Sequence, residues 1–141
     1  MADLVYNNFK ELLLKKDTNF ASDTLKLMLL SSSHTPDQDA HDFIDDCSSN
    51  EITGTNYTAG GATLTGASVS QDNTDNEGVF DANDVSWTTA TITSRYAVLY
   101  RDTGTPATSP VIAIWDFTSD KSSSGGTFQI TWNAEGVLNV N

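Results

Sequence analysis

From Arg95 onward, apolar side chains recur at every second residue. Thr127–Trp132 reads TFQITW, with Phe128, Ile130 and Trp132 on one side. Val111–Phe117 reads VIAIWDF and sets Val111, Ala113, Trp115 and Phe117 against Ile112, Ile114 and Asp116. A period of two matches the pleat of a strand, whose successive side chains point to opposite faces, and not a helix with its period of 3.6. RYAVLYR at 95–101 is a further strand, and DTGTPATSP at 102–110 joins the two as a hairpin connection. TSDKSSSGG at 118–126 reads as a second, flexible connection, and NAEG turns the chain into a last strand at 137–140.

The same signal is weaker upstream. TLKLMLL at 24–30 is a strand with Leu25, Leu27 and Leu29 on one face; Met28 and Leu30 make the other face apolar enough to need a cover. Strands are expected at 52–58, 62–70 and 85–93, with a turn or bulge at Gly66 and a turn-rich loop, QDNTDNEG, at 71–78. The polar stretch 31–50 is broken by Pro36 and has room for one short helix over 39–46. Helical periodicity occurs only near the start. Val5, Phe9, Leu12 and Leu13 share one face of a helix over 3–16, which Asp3 caps and which Lys15 and Lys16 close. Seven to nine short strands after one helix specify a mainly β fold: an antiparallel β-sandwich or jelly roll with a short N-terminal α-helix. The expected division is a helical arm over 1–20 and a β-sandwich over 21–141, within one domain.

Composition narrows the function. Seven Lys and Arg stand against 19 Asp and Glu, a formal net charge of −12. A surface of that sign repels nucleic-acid phosphates and anionic membranes. No apolar run reaches the ~18 residues of a membrane span, and the N-terminus lacks the apolar core of a signal peptide, so a soluble protein kept inside a cell is expected. The single cysteine, Cys47, excludes a disulfide within the chain and a multi-cysteine zinc site. It reads as a small buried residue. His34 and His41 precede it in a loop-like segment without a nucleophile's setting.

Chemistry-bearing motifs are absent. There is no P-loop, dinucleotide-binding glycine motif, HExxH or nucleophile elbow. Two acidic clusters, Asp37/Asp39/Asp42/Asp45/Asp46 and Asp72/Asp75/Glu77/Asp81/Asp84, suggest calcium, but Glu77 stands where an EF-hand loop starting at Asp72 needs glycine. They are read as solvated, turn-favouring carboxylates. Paired carboxylates also evoke glycoside hydrolysis, for which the chain leaves little room. Trp115 and Trp132 are expected as inward core anchors; Trp87 is harder to place. Neither an enzymatic activity, a cofactor nor a metal is expected.

Several segments together, NFKELLLKKDTNFASDTLKLMLL, HTPDQDAHDF, TGTNYTAGGATL, SRYAVLYRDTGT and SSSGGTFQITWNAEGVL, resemble a family of small structural proteins of tailed bacteriophages. The resemblance spans nearly the whole chain. It implies a non-enzymatic virion protein without a cofactor, made in the host bacterial cytoplasm, that decorates or cements the outer capsid surface. It also implies the major capsid protein as partner and self-association as a dimer or trimer. A head–tail adaptor, a tail or fibre-base component, and a virion-exposed glycan-binding module are the alternatives. The helix offers more apolar surface than one packing stripe needs, so Leu4, Val5, Tyr6, Phe9, Leu12, Leu13 and Leu14 are the candidate capsid or oligomer interface.

Overall fold

The computed structural model describes residues 2–141. In chain order these form β1 (Leu4–Val5), α1 (Asn7–Leu14), β2 (Leu25–Leu30), α2 (Asp45–Ser48), β3 (Ala62–Thr63), β4 (Ser68–Asp72), β5 (Glu77–Asp81), β6 (Val85–Arg101), β7 (Val111–Ile130) and β8 (Leu138–Val140). A 3-10 turn, Pro106–Thr108, links β6 to β7. Every strand pair is antiparallel. One sheet has the order β1-β7-β6-β2-β3, the other β4-β5-β8. Mainly β with antiparallel sheets and one short N-terminal helix, the fold is that of a β-sandwich, as the alternation requires.

The large sheet is covered on both faces, which is why β2 is apolar on both. Leu25, Leu27 and Leu29 join Ala97 and Leu99 of β6, Phe80 and Leu138 of the small sheet, and Phe9 of α1 in one core. Met28 and Leu30 join Val98, Tyr100, Val111 and Ile114 on the other face, beneath Ile44 and Cys47 from the 31–50 segment. Four successive residues of β7 are buried between the two covers, and a bulge puts two neighbours among them on the same face. Leu99 pairs with Ala113 but Tyr100 with Val111, so Ile112 is left over and turns into the same core as Ala113. Strict alternation at 111–114 therefore fails.

Further differences from the sequence reading have physical causes. The N-terminal helix begins at Asn7, because residues 4–5 pair with Ala113 and Ile114 of β7. Asp3 caps nothing there; its carboxylate accepts the N–H of Asp116, 2.6 Å away. Residues 118–126 are not a free connection but continue β7. Their polarity suits a strand exposed on both faces, and their hydroxyls bond across it: Thr93 to Ser122 at 2.8 Å, Ser123 to the Ala90 carbonyl at 2.8 Å. The lengths of β6 and β7 differ at this point, and the irregularity is absorbed near Thr118, whose φ is +63°. Residues 52–58 make one isolated bridge, Thr55 to Thr91, and 71–78 is a tight hairpin between β4 and β5 rather than a loop. The short helix falls at 45–48, later than expected.

Candidate docking site

Helix α1 is amphipathic, and its two faces meet different fates. Phe9 is buried against Phe20, ring centroids 5.6 Å apart, and Phe20 stacks on Phe80 of the small sheet at 4.4 Å. Tyr6, at the N-cap, is fully buried on the opposite face of the large sheet. Leu4, Val5, Leu12 and Leu13 are half-buried. Leu14, in the last turn, is 89% exposed. The seven interface candidates thus divide: Tyr6 and Phe9 are core residues, and Leu14 alone is open to solvent.

The segment is fixed to the body of the protein by its backbone. The N–H of Asp3 donates to Ile114 and that of Tyr6 to Ile112. Gln38 donates its side-chain amide to the Val5 carbonyl at 2.6 Å, and Asn8 donates to the Asp42 carbonyl at 3.0 Å. With two buried aromatic rings and these bonds, residues 4–14 are part of the sandwich.

Between α1 and the free edge of β8 lies a groove of about 370 Å³, lined mainly by Val5, Phe9, Leu13, Leu14, Leu138 and Val140, with Lys10 its one cation. Val140 is 51% exposed. Sequence reasoning found the helix wall of this groove but not the β8 wall, whose proximity depends on the pairing of β8 with β5. The alternation at 137–140 was the available signal.

The other candidates resolve into structural roles. Asp37 accepts the N–H groups of Asp39 and Ala40, each at 3.0 Å, and Asp46 those of Asp42 and Phe43. Asp72 accepts from Thr74 and Asp75. These backbone donors hold the Asp37 and Asp72 carboxyls below the usual carboxylate range. The acidic clusters are thereby built into turns. All three tryptophans pack in or against the core beneath the large sheet. Trp87 is buried, while Trp115 and Trp132 are half-buried partners, centroids 5.1 Å apart and inclined at 54°, so they present no flat stacking platform. Burial pushes the Cys47 thiol up to about 12, the opposite of what a nucleophile needs. Among the described residues, two groups of side chains could ligate a metal: the carboxylates of Asp72, Asp75 and Glu135, of which the last two are exposed, and the set His34, His41 and Cys47. No helix among the described residues is long and apolar enough to cross a membrane.

Compared with known proteins, the chain matches no protein-family model, no curated protein and no solved structure.

Proposed function

We propose that the chain is a non-enzymatic structural component of a tailed-phage particle, a decoration or cement protein. It binds the major capsid protein at the outer surface of the shell through the groove between α1 and β8, as a homo-oligomer. The observation that carries this reading is Leu14. Among the described residues, Leu14, Val69 and Val140 are the exposed large apolar ones, and two of these three border the same apolar groove. Covering one large apolar side chain contributes about 1.5–3 kcal/mol. Two anchors per subunit fall short of the association cost of about 4–15 kcal/mol, so binding has to be multiplied over an oligomer and a repetitive shell. The net charge of −12 suits the outward surface, where like charge keeps particles apart.

The test is co-sedimentation with undecorated shells, using the Leu14→Asp/Val140→Asp variant. Deleting residues 1–16 would remove Tyr6 and Phe9 from the core and so confuse docking with folding. The double variant should keep its melting temperature and oligomeric state yet fail to sediment with the shells. Normal sedimentation would refute the groove as the docking surface. Loss of the oligomer with shell binding retained would make it a contact between copies.

A further inference from the structure

Three buried side-chain polar atoms among the described residues have no hydrogen-bond partner, and two of them lie in one place. They are His34 Nε2 and the Tyr6 hydroxyl. His34 is 3% exposed, its ring 5.3 Å from that of His41 and edge-on to Tyr96 at 5.8 Å. Tyr6 lies against Cys47 and 6.3 Å from the His41 ring. The Cys47 sulfur is 3.9 Å from His41 Nδ1. One ligating atom from each of His34, His41 and Cys47 lies within 4.8 Å of the other two. Buried polar groups are nearly always satisfied, and here the unpaired Nε2 of buried His34 belongs to a ring clustered with a thiol and a second imidazole, a donor set that suits a metal ion.

We infer that His34, His41 and Cys47 bind a single divalent ion of the zinc class, with the Tyr6 hydroxyl or a water completing the coordination. Two imidazoles and one thiolate are borderline-soft donors that suit zinc or cobalt and not calcium or magnesium. Bond lengths near 2.0 Å to nitrogen and 2.3 Å to sulfur give a tetrahedron with edges of roughly 3.3–3.6 Å, so the present spacing has to contract by at most roughly 1.5 Å, within the reach of side-chain torsions. His41 is only half-buried and gives the ion its route in from solvent. All three ligands come from the 31–50 segment, whose one helix, α2, carries Cys47 and which covers one face of the large sheet. The ion is a staple for that cover.

Cobalt(II) reads the site directly, because a thiolate–cobalt bond has a near-ultraviolet charge-transfer band and tetrahedral cobalt has strong visible bands. Titrating the metal-free, reduced full chain should give one cobalt per chain with both signals, displaced by zinc. Cys47→Ser should abolish the charge-transfer band. His34→Gln and His41→Gln should each weaken binding at least about tenfold, while Asp72→Asn/Asp75→Asn/Glu135→Gln should leave it unchanged. His41 is half-exposed, so its variant keeps the test open if a change at buried Cys47 or His34 prevents folding. Absence of the charge-transfer band at stoichiometric cobalt, or a band insensitive to His41→Gln, would overturn the assignment.

Discussion

Tyr57→Phe removes one oxygen while keeping the ring that packs 6.0 Å from Trp87. That oxygen does two jobs. It accepts the N–H of Leu29 at 3.0 Å, and it donates to Glu51 Oε1 at 2.8 Å. Leu29 is fully buried, and on the side of β2 away from β6 its carbonyl is already taken by the Ile52 N–H. The hydroxyl therefore fills the place of a missing neighbouring strand. Without it the Leu29 N–H is orphaned, at a cost of about 1–3 kcal/mol, and a hydrogen bond to a carboxylate worth about 1.5–3 kcal/mol is lost. Glu51 keeps the N–H of Gly60 at 2.6 Å, so the second loss is partial and the sum is about 2–4 kcal/mol. At about 3 °C per kcal/mol for a chain of this size, the melting temperature should fall by about 6–12 °C. Thermal and urea denaturation of Tyr57→Phe, Glu51→Gln and the double variant would measure it, with the double less destabilised than the sum of the singles. A loss below about 0.5 kcal/mol, or strict additivity, would refute the claim that this hydroxyl completes the ladder.

Phe9→Ala should cost about 3–5 kcal/mol by emptying the space beside Phe20, whereas Leu14→Asp, five residues on, should change urea stability by less than about 0.5 kcal/mol. Gly61→Ala should destabilise by at least about 2 kcal/mol in the same assay: φ is +79° and an added Cβ would lie 2.0 Å from the Leu27 carbonyl oxygen. Asp102 is held below its usual range by Lys26, 2.8 Å away, and by the Gly104 N–H. A depressed carboxyl stabilises the fold above its unfolded value near 3.9 and stops doing so as pH falls through the folded value. Asp102→Asn should therefore lower the melting temperature at pH 7, by about 1 kcal/mol equivalent, with the difference shrinking as pH falls below the usual carboxylate range.

What was legible in the sequence was legible because it depends on neighbours in the chain. The pleat of β2 and the alternation at 127–132 report local burial; β2 stands where the pattern puts it, and the later pattern marks the end of β7, which stops at Ile130. Residues 4–5 carry apolar side chains that a helix would also use; only a partner more than a hundred residues away makes them a strand. The polar run 118–126 has no inward face to declare it, and its strand character comes from the hairpin that β6 imposes. The candidate site divides in the same way. The apolar surplus of α1 was visible, but not that Tyr6 and Phe9 would be consumed by two different cores while Leu14 would not. His34, His41 and Cys47 stand in a segment without periodicity, so nothing in their spacing announced that the turns at Asp37 and Asp46 fold them together.

The pairing of Leu4 and Val5 with Ala113 and Ile114 sets an order of events during synthesis. The first strand waits for a partner about 110 residues later, which at roughly 5–20 residues per second is a delay of about 5–20 s on the ribosome. Until then Tyr6 lacks Val111 and Ile114, two of the residues that cover it in the finished molecule. Closing so long a loop is slow, and exposed aromatic residues on a nascent chain are a natural target for a holding chaperone. The strand that emerges about 110 residues later is the one that fixes β1 in the sheet.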